Sequence, residues 1–254
     1  MTEASAPYRP DLSLKGKLRR RLVRLQHRRP APRGPERGWV TFSFDDAPET
    51  AVETGAAVLE ARGIAATYFI CAGLAGTRAH LGRYADASQV RAAAARGHEI
   101  ACHTFSHLDC GGASAAEVEA DLARNARAFA DWGVAPAQTF AYPYGDVSGP
   151  AKRVLGARFA LSRALQPGRI GVGADLAQAP ATSMDGPRGE ASTLAALHET
   201  AGRGGWLILF AHQVTPEPGE FAVHPDALAR MADAARGLRL EPVTAAEGAR
   251  RLFA

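Results

Sequence analysis

Trp39-Val40-Thr41-Phe42-Ser43-Phe44-Asp45-Asp46 is a run of β-branched and aromatic residues that stops at two carboxylates. Such a run bounded by polar residues reads as a buried strand. A second run, His98-Glu99-Ile100-Ala101-Cys102, is followed by His103 and His107. From Trp39 onward, strand-like and helix-like segments alternate. Strand patterns cover 39–45, 65–71, 98–102, 138–142, 158–162, 206–211 and 238–243, with helix patterns near 50–62, 87–96, 114–130, 148–156, 190–202, 225–236 and 244–252. Ser114 and Glu117 form a capping-box signature, Thr244 suits an N-cap, and Gly63, Gly97 and Gly237 sit where helices should stop. Repeated βα alternation predicts an α/β fold, a parallel sheet or barrel with helices outside. In barrels chemistry gathers at the C-terminal ends of strands. Asp45 ends a strand pattern, and His103, Tyr144 and His212 fall just after others.

The 254 residues, 46% of them hydrophobic, fit one large domain or two small ones with a sizeable core. Cys71, Cys102 and Cys110 are odd in number and sparse, which reads as free thiols in a reducing compartment. Cys102 adjoins His103, so we weigh it as an alternative metal ligand against the plainer reading of a small buried residue. No apolar run of about 18 residues exists to span a bilayer. Polar residues, Pro7 and Pro10 interrupt any signal-peptide core at the N-terminus, so the expectation is a cytoplasmic protein.

Charge divides the chain at about residue 37. Residues 1–37 hold eleven Lys/Arg against Glu3, Asp11 and Glu36, a net +8, whereas the remainder carries a net −4. The basic pI of 9.2 belongs to an N-terminal extension and not to the body over 38–254, which argues against nucleic-acid binding. Within the extension, Leu14, Leu18, Leu22 and Leu25 recur at helical spacing among Lys and Arg, weakened by Gly16. The segment from Arg29 to Pro35 then reads as an extended linker. Three accounts compete for this helix. It lies on an anionic membrane surface through residues 14–29, or packs on the domain or a second subunit, or is a solvated arm.

Two imidazoles spaced i, i+4 face one site if His103–His107 makes a helical turn. A carboxylate added to them gives a three-ligand N/N/O set open to water, the form of a hydrolytic zinc site. A second carboxylate beside it could take a proton from that water. Each residue also has a plain structural reading. Adjacent aspartates at a strand end are usually a solvated turn or a helix cap, and a histidine after an apolar strand is more often a hydrogen-bonded core residue. Tyr142 and Tyr144 around Pro143 read most simply as a strand ending in a turn. His27, His80, His98, His198 and His224 have no motif context and are assigned to structure.

Co-occurrence decides between these readings. Thr41-Phe-Ser-Phe-Asp-Asp46, His103-Thr-Phe-Ser-His107, Phe140-Ala-Tyr-Pro-Tyr-Gly145 and Leu207-Ile-Leu-Phe-Ala-His212 together resemble, in order, motifs of the polysaccharide deacetylases. These are the NodB-homology group, or carbohydrate esterase family 4. The resemblance implies a distorted barrel of (β/α)7 type. It implies a divalent metal held by Asp46, His103 and His107, most simply Zn2+, with Co2+ or Ni2+ as substitutes. It implies Asp45 as general base, a Tyr144 backbone N–H at the oxyanion, and His212 as general acid. The implied substrate is an N-acetylated glycan that loses acetate. The missing signal peptide and basic arm suggest a lipid-linked or exopolysaccharide precursor, such as a holdfast-type adhesin, at the cytoplasmic membrane face. The alternatives are hydrolysis of a non-sugar amide on the same scaffold and a non-catalytic glycan-binding protein.

Three departures from the family pattern stand out. Many members carry an arginine in the third motif where this chain has Ala141, which leaves the partner of Asp45 among Arg163, Arg169 and Arg188. The fourth motif, an Asp with a Trp, has no clear match. Asp175 and Asp185 lie in the right stretch, but no tryptophan occurs between Trp132 and Trp206. Ala47-Pro48 replaces the usual glycine after the aspartates.

Overall fold

The computed structural model describes residues 13–217 and 219–254. The first twelve residues of the basic extension lie outside that range. Eight strands form one parallel sheet: β1 (Trp39–Asp45), β2 (Thr67–Ile70), β3 (Glu99–Cys102), β4 (Thr139–Ala141), β5 (Leu161–Arg163), β6 (Thr182–Ser183), β7 (Trp206–Ala211) and β8 (Glu241–Pro242). The spatial order is β5-β4-β3-β2-β1-β7-β6. β8 pairs with Trp39 and Val40 of β1, below the point where β2 takes over that edge at Ser43–Asp45. An irregular stretch closes the curl. Ser162 donates to Leu176, and Ala179 and Ala164 bond across to Ser162 and Ala179.

Helices α1 (Leu14–Val23), α2 (Ala56–Glu60), α3 (Ala87–Ala95), α4 (Ala115–Asp131), α5 (Gly149–Arg158), α6 (Gly189–Arg203), α7 (Pro225–Gly237) and α8 (Ala245–Arg251) surround it. The capping box at Ser114–Glu117 and the cap at Thr244 form as the sequence indicates.

Strand pleating sorts β1 into two faces. Val40, Phe42 and Phe44 pack outward with Tyr68, Leu207, Leu209, Leu228 and Met231. Each such side chain, fully buried, stabilises the fold by roughly 1.5–3 kcal/mol. Thr41, Ser43 and Asp45 turn into the barrel, where Thr41 accepts the Trp206 indole N–H at 2.9 Å and Ser43 donates to Leu209. The interior is filled by Phe69, Ala101, Ala141, Trp206, Ile208 and Phe210, and Ala245, Ala249 and Leu252 of the α8 region plug its N-terminal end. Glu99, bonded by Thr67, Thr139 and the Ala246 N–H, forms a buried polar cluster at that same end, and the side chains of the motifs lie at the opposite, C-terminal end.

Three sequence expectations shift, and one strand has no counterpart in the sequence reading. The strand read at 158–162 moves to Leu161–Arg163 because α5 continues to Arg158, which makes Arg163 the last residue of β5. The strand read at 238–243 contracts to Glu241–Pro242, since α7 runs to Gly237 and Pro242 has no N–H to extend a ladder. The helix near 50–62 splits into a π-helical turn, Ala51–Gly55, and α2. β6 leaves no signal in the sequence, because two residues show no periodicity.

Candidate active site

One cavity of about 320 Å³ at the C-terminal end of the barrel is lined by Asp45, Asp46, His103, His107, Tyr144, Asp185 and His212. All six motif-derived site residues thus meet in one place, although they come from four separate loops.

Backbone conformation marks the same place. Among the described residues, seven non-glycine residues have positive φ, and five of them are Asp46, Ala47, Thr104, His107 and Tyr144. Such conformations cost of order 1–3 kcal/mol each and persist where surrounding structure enforces them, often at functional sites. The expected helical turn at His103–His107 is absent; a loop with positive φ at Thr104 and His107 converges the two rings instead. Asp121 of α4, 5% exposed, braces that loop. Its carboxylate accepts from the backbone N–H of Phe105 at 2.7 Å and of Ser106 at 3.0 Å, and from the Ser106 hydroxyl at 2.9 Å. No motif pointed to Asp121.

Asp46 Oδ1 stands 3.8 Å from His103 Nε2 and 3.4 Å from His107 Nε2. Ligands about 2.0–2.1 Å from a tetrahedral zinc ion lie about 3.3 Å apart, so this spacing fits a divalent ion. His103 Nδ1 donates to the Ala141 carbonyl at 2.8 Å, which leaves Nε2 with a lone pair toward Asp46. Burial lowers both imidazoles to about 4, so they are neutral and able to ligate at ordinary pH.

Cys71, Asp46 and His103 also present ligand-type atoms within 4.8 Å of one another. The cysteine that approaches the site is therefore Cys71, not Cys102, whose sulfur faces Asn125. Burial and the neighbouring Asp46 charge push the Cys71 thiol well up, and it donates to the His103 carbonyl at 2.9 Å. His107 lines the cavity and Cys71 does not, so the donor set open to a substrate is Asp46, His103 and His107.

Asp45 is bonded by the guanidinium of Arg163, which identifies its partner among the three candidates. The guanidinium lies over the rings of Phe69 and Phe210, at 5.0 and 4.9 Å. Burial alone would raise the Asp45 carboxyl, but the Arg163 charge, with His103 and His212, holds it below the usual range. Across the cavity, Asp185 Oδ2 lies 2.6 Å from His212 Nδ1 and Oδ1 accepts the His212 backbone N–H at 3.2 Å. Burial disfavours the imidazolium, yet Asp185, helped by Asp45 and Asp46, raises His212 to about 9. Asp175 goes elsewhere, pairing with buried Lys152 at 2.6 Å.

The missing tryptophan has an aromatic counterpart. Phe221 immediately precedes the second strand of a short pairing, Gln213–Val214 with Ala222–Val223, and places its ring 5.3 Å from His212. Tyr144 stands opposite, 4.4 Å from the His107 ring, and both aromatics are about two-fifths exposed. His80, assigned to structure from the sequence, and Glu220 also line the mouth.

A parallel barrel carrying an Asp/His/His donor set beside a carboxylate and a charged histidine brings together groups able to hold a metal and to move protons. The polysaccharide deacetylase family profile matches residues 33–157. Structures from other organisms share the fold at low identity. A Mycobacterium smegmatis protein assigned to the polysaccharide deacetylases is 18% identical, with a TM-score of 0.68 and coverage of 89% of this chain and 95% of that one. The chitin deacetylase of Colletotrichum lindemuthianum is 16% identical, with a TM-score of 0.61 and coverage of 85% and 89%. A cobalt complex of a Clostridium thermocellum family 4 acetyl xylan esterase is 19% identical, with a TM-score of 0.60 and coverage of 85% and 90%. No curated protein matches the sequence. Residues 33–157 thus carry the polysaccharide deacetylase signature, on a fold shared with solved family 4 carbohydrate esterases.

Proposed function

We propose that this protein is a divalent-metal-dependent N-deacetylase of N-acetylhexosamine units in a glycan. The observation that carries the reading is the shared cavity of the Asp46/His103/His107 set, the Arg163-held Asp45 and the Asp185-held His212. A metal ion bound by that set, most simply zinc, supplies Lewis acidity and lowers the pKa of water. Asp45, kept ionised by Arg163, accepts the proton of the attacking water. The Tyr144 backbone, turned by its positive φ, is assigned to the developing oxyanion. His212 holds Nδ1–H on Asp185 and gives its Nε2 proton to the departing amine. Exposed Tyr144 and Phe221 offer apolar faces for a sugar ring on either side of the reacting group.

The substrate we favour is a lipid-linked or exopolysaccharide precursor at the cytoplasmic face of a membrane. Three free buried cysteines and the basic helix support that location. The test is acetate release from N-acetylglucosamine oligomers, before and after chelation, then with zinc restored. Chelator-sensitive release that zinc rescues is the expected result. Release only from cyclic ureides or other non-sugar amides would replace this reading, and bound metal without turnover on any amide would leave a glycan-binding role.

A further inference from the structure

Helix α1 is mounted with its apolar stripe away from the domain. A surface helix of a globular protein normally buries that stripe. Here the buried contacts are Gly16 and Val23, the latter 2% exposed. Leu14, Leu18, Leu22 and Leu25 are 84%, 57%, 48% and 75% exposed. At 3.6 residues per turn, Leu14, Leu18 and Leu22 span about 80° of the helix, roughly opposite Val23. Lys17, Arg21 and Arg24 are exposed along one flank of the stripe.

The helix is nevertheless fixed in place. Lys152 Nζ, fully buried on α5, donates to the Val23 carbonyl at 2.8 Å. Arg29 donates its backbone N–H to Asp175 at 2.9 Å. Arg19 pairs with Asp146 at 2.7 Å and donates to the Gly111 carbonyl. Asp146 lies two residues beyond Tyr144, and Gly111 four beyond His107. The helix is therefore bolted to two of the loops that carry cavity-lining residues.

Charge selects what covers the leucines. Residues 14–29 contain eight Lys/Arg and no Asp/Glu. Packing a second copy of the stripe against itself would bring these like charges together, whereas an anionic bilayer neutralises them while taking up the leucines.

We propose that α1 is a fixed docking ridge for an anionic lipid surface, bonded to two of the loops that shape the catalytic cavity so that the cavity meets glycan held at that surface. The lipid contact stands on α1 alone; the consequence for substrate rests on the deacetylase reading above. The ridge differs from a tethered arm in that it sets orientation as well as proximity.

The experiment is flotation of the full-length protein with vesicles of phosphatidylcholine alone and of phosphatidylcholine mixed with phosphatidylglycerol. The wild type is expected to float with the anionic vesicles only, and less in high salt. Leu18→Asp/Leu22→Asp and, separately, Lys17→Glu/Arg21→Glu should each reduce that partitioning at least about tenfold. Both variants should keep the wild-type thermal melt and any acetate release from soluble oligomers. Wild-type protein that stays down with both vesicles overturns the proposal. So do variants that float as well as the wild type, or a dimer in sedimentation velocity that the leucine substitutions dissolve. Flotation does not require turnover, so a protein that floats yet releases no acetate from any substrate would overturn the deacetylase reading and leave the ridge standing.

Discussion

Arg163 and Asp45 lie 118 residues apart and meet inside the barrel. They end β5 and β1, with β2, β3 and β4 between them, so only the curl of the sheet brings them into contact. Many family members place the arginine in the third motif. Here the small Ala141 occupies that strand end, and the guanidinium enters from its register partner, Arg163, on the adjacent strand. The charge has moved one strand around the wall and still reaches the carboxylate.

Arg163→Met should lower kcat by about 10²-fold or more, since it removes the group that orients and ionises Asp45. It should also move the acid limb of the pH–rate profile upward, because burial then acts on the Asp45 carboxyl unopposed by that charge. Asp45→Asn should lose turnover by about 10²–10⁴-fold while retaining metal. Kinetics paired with metal content by plasma mass spectrometry check both. An acid limb that does not move in Arg163→Met would separate the arginine from the base.

His103→Ala or His107→Ala should lose metal, and turnover with it, with rescue incomplete at high zinc. The spacing of both rings from Asp46 makes them joint ligands. Cys71→Ser should retain metal, because the thiol lies behind Asp46, outside the cavity, and is bonded to the His103 carbonyl. Calorimetric zinc titration of the three variants distinguishes them. A large loss of affinity in Cys71→Ser would move the ligand set to Asp46, Cys71 and His103.

Activity should fall on the alkaline side as pH rises through about 9, where His212 loses its proton. The shift is upward, so the protonated acid persists across neutral pH and is lost only above it. Asp185→Asn removes the charge that raises His212 and should bring this limb down by a unit or more toward the ordinary histidine value. A pH profile of kcat/KM that keeps its alkaline limb in Asp185→Asn would detach that limb from His212.

Much of this arrangement is legible in the sequence, and the illegible parts have physical causes. β1 and β7 match the sequence reading to the residue because their long apolar runs leave no other period. The convergence of the six candidate residues in one cavity follows from strand ends and motif order. The sequence does not separate Asp185 from Asp175, ten residues apart, because that choice depends on the path of an irregular segment with no periodicity. Arg163, Arg169 and Arg188 are equivalent in the sequence, and only the curvature of the sheet singles out Arg163. Phe221, His80 and Asp121 belong to no motif and act through position alone. The leucine repeat of α1 revealed a stripe, but a repeat carries no information about which way the stripe faces.

Asp121 supplies the most discriminating test of how the site is built, because it touches neither substrate nor the donor atoms. Its Oδ1 accepts two backbone N–H groups in the loop between His103 and His107. Asp121→Ala leaves both donors without that partner, at about 1–3 kcal/mol for each that stays dry, and frees the loop to relax from its positive-φ residues. Zinc affinity should drop by about 10–100-fold, the range seen when a group supporting a ligand is removed. Asp121→Asn keeps an oxygen for the two N–H groups and an amide to donate to the Ser106 hydroxyl, so it should recover most of that affinity. A purely structural role would lower the melting temperature of the alanine variant without changing its zinc affinity once folded. Zinc titration well below the melting transition separates the two outcomes.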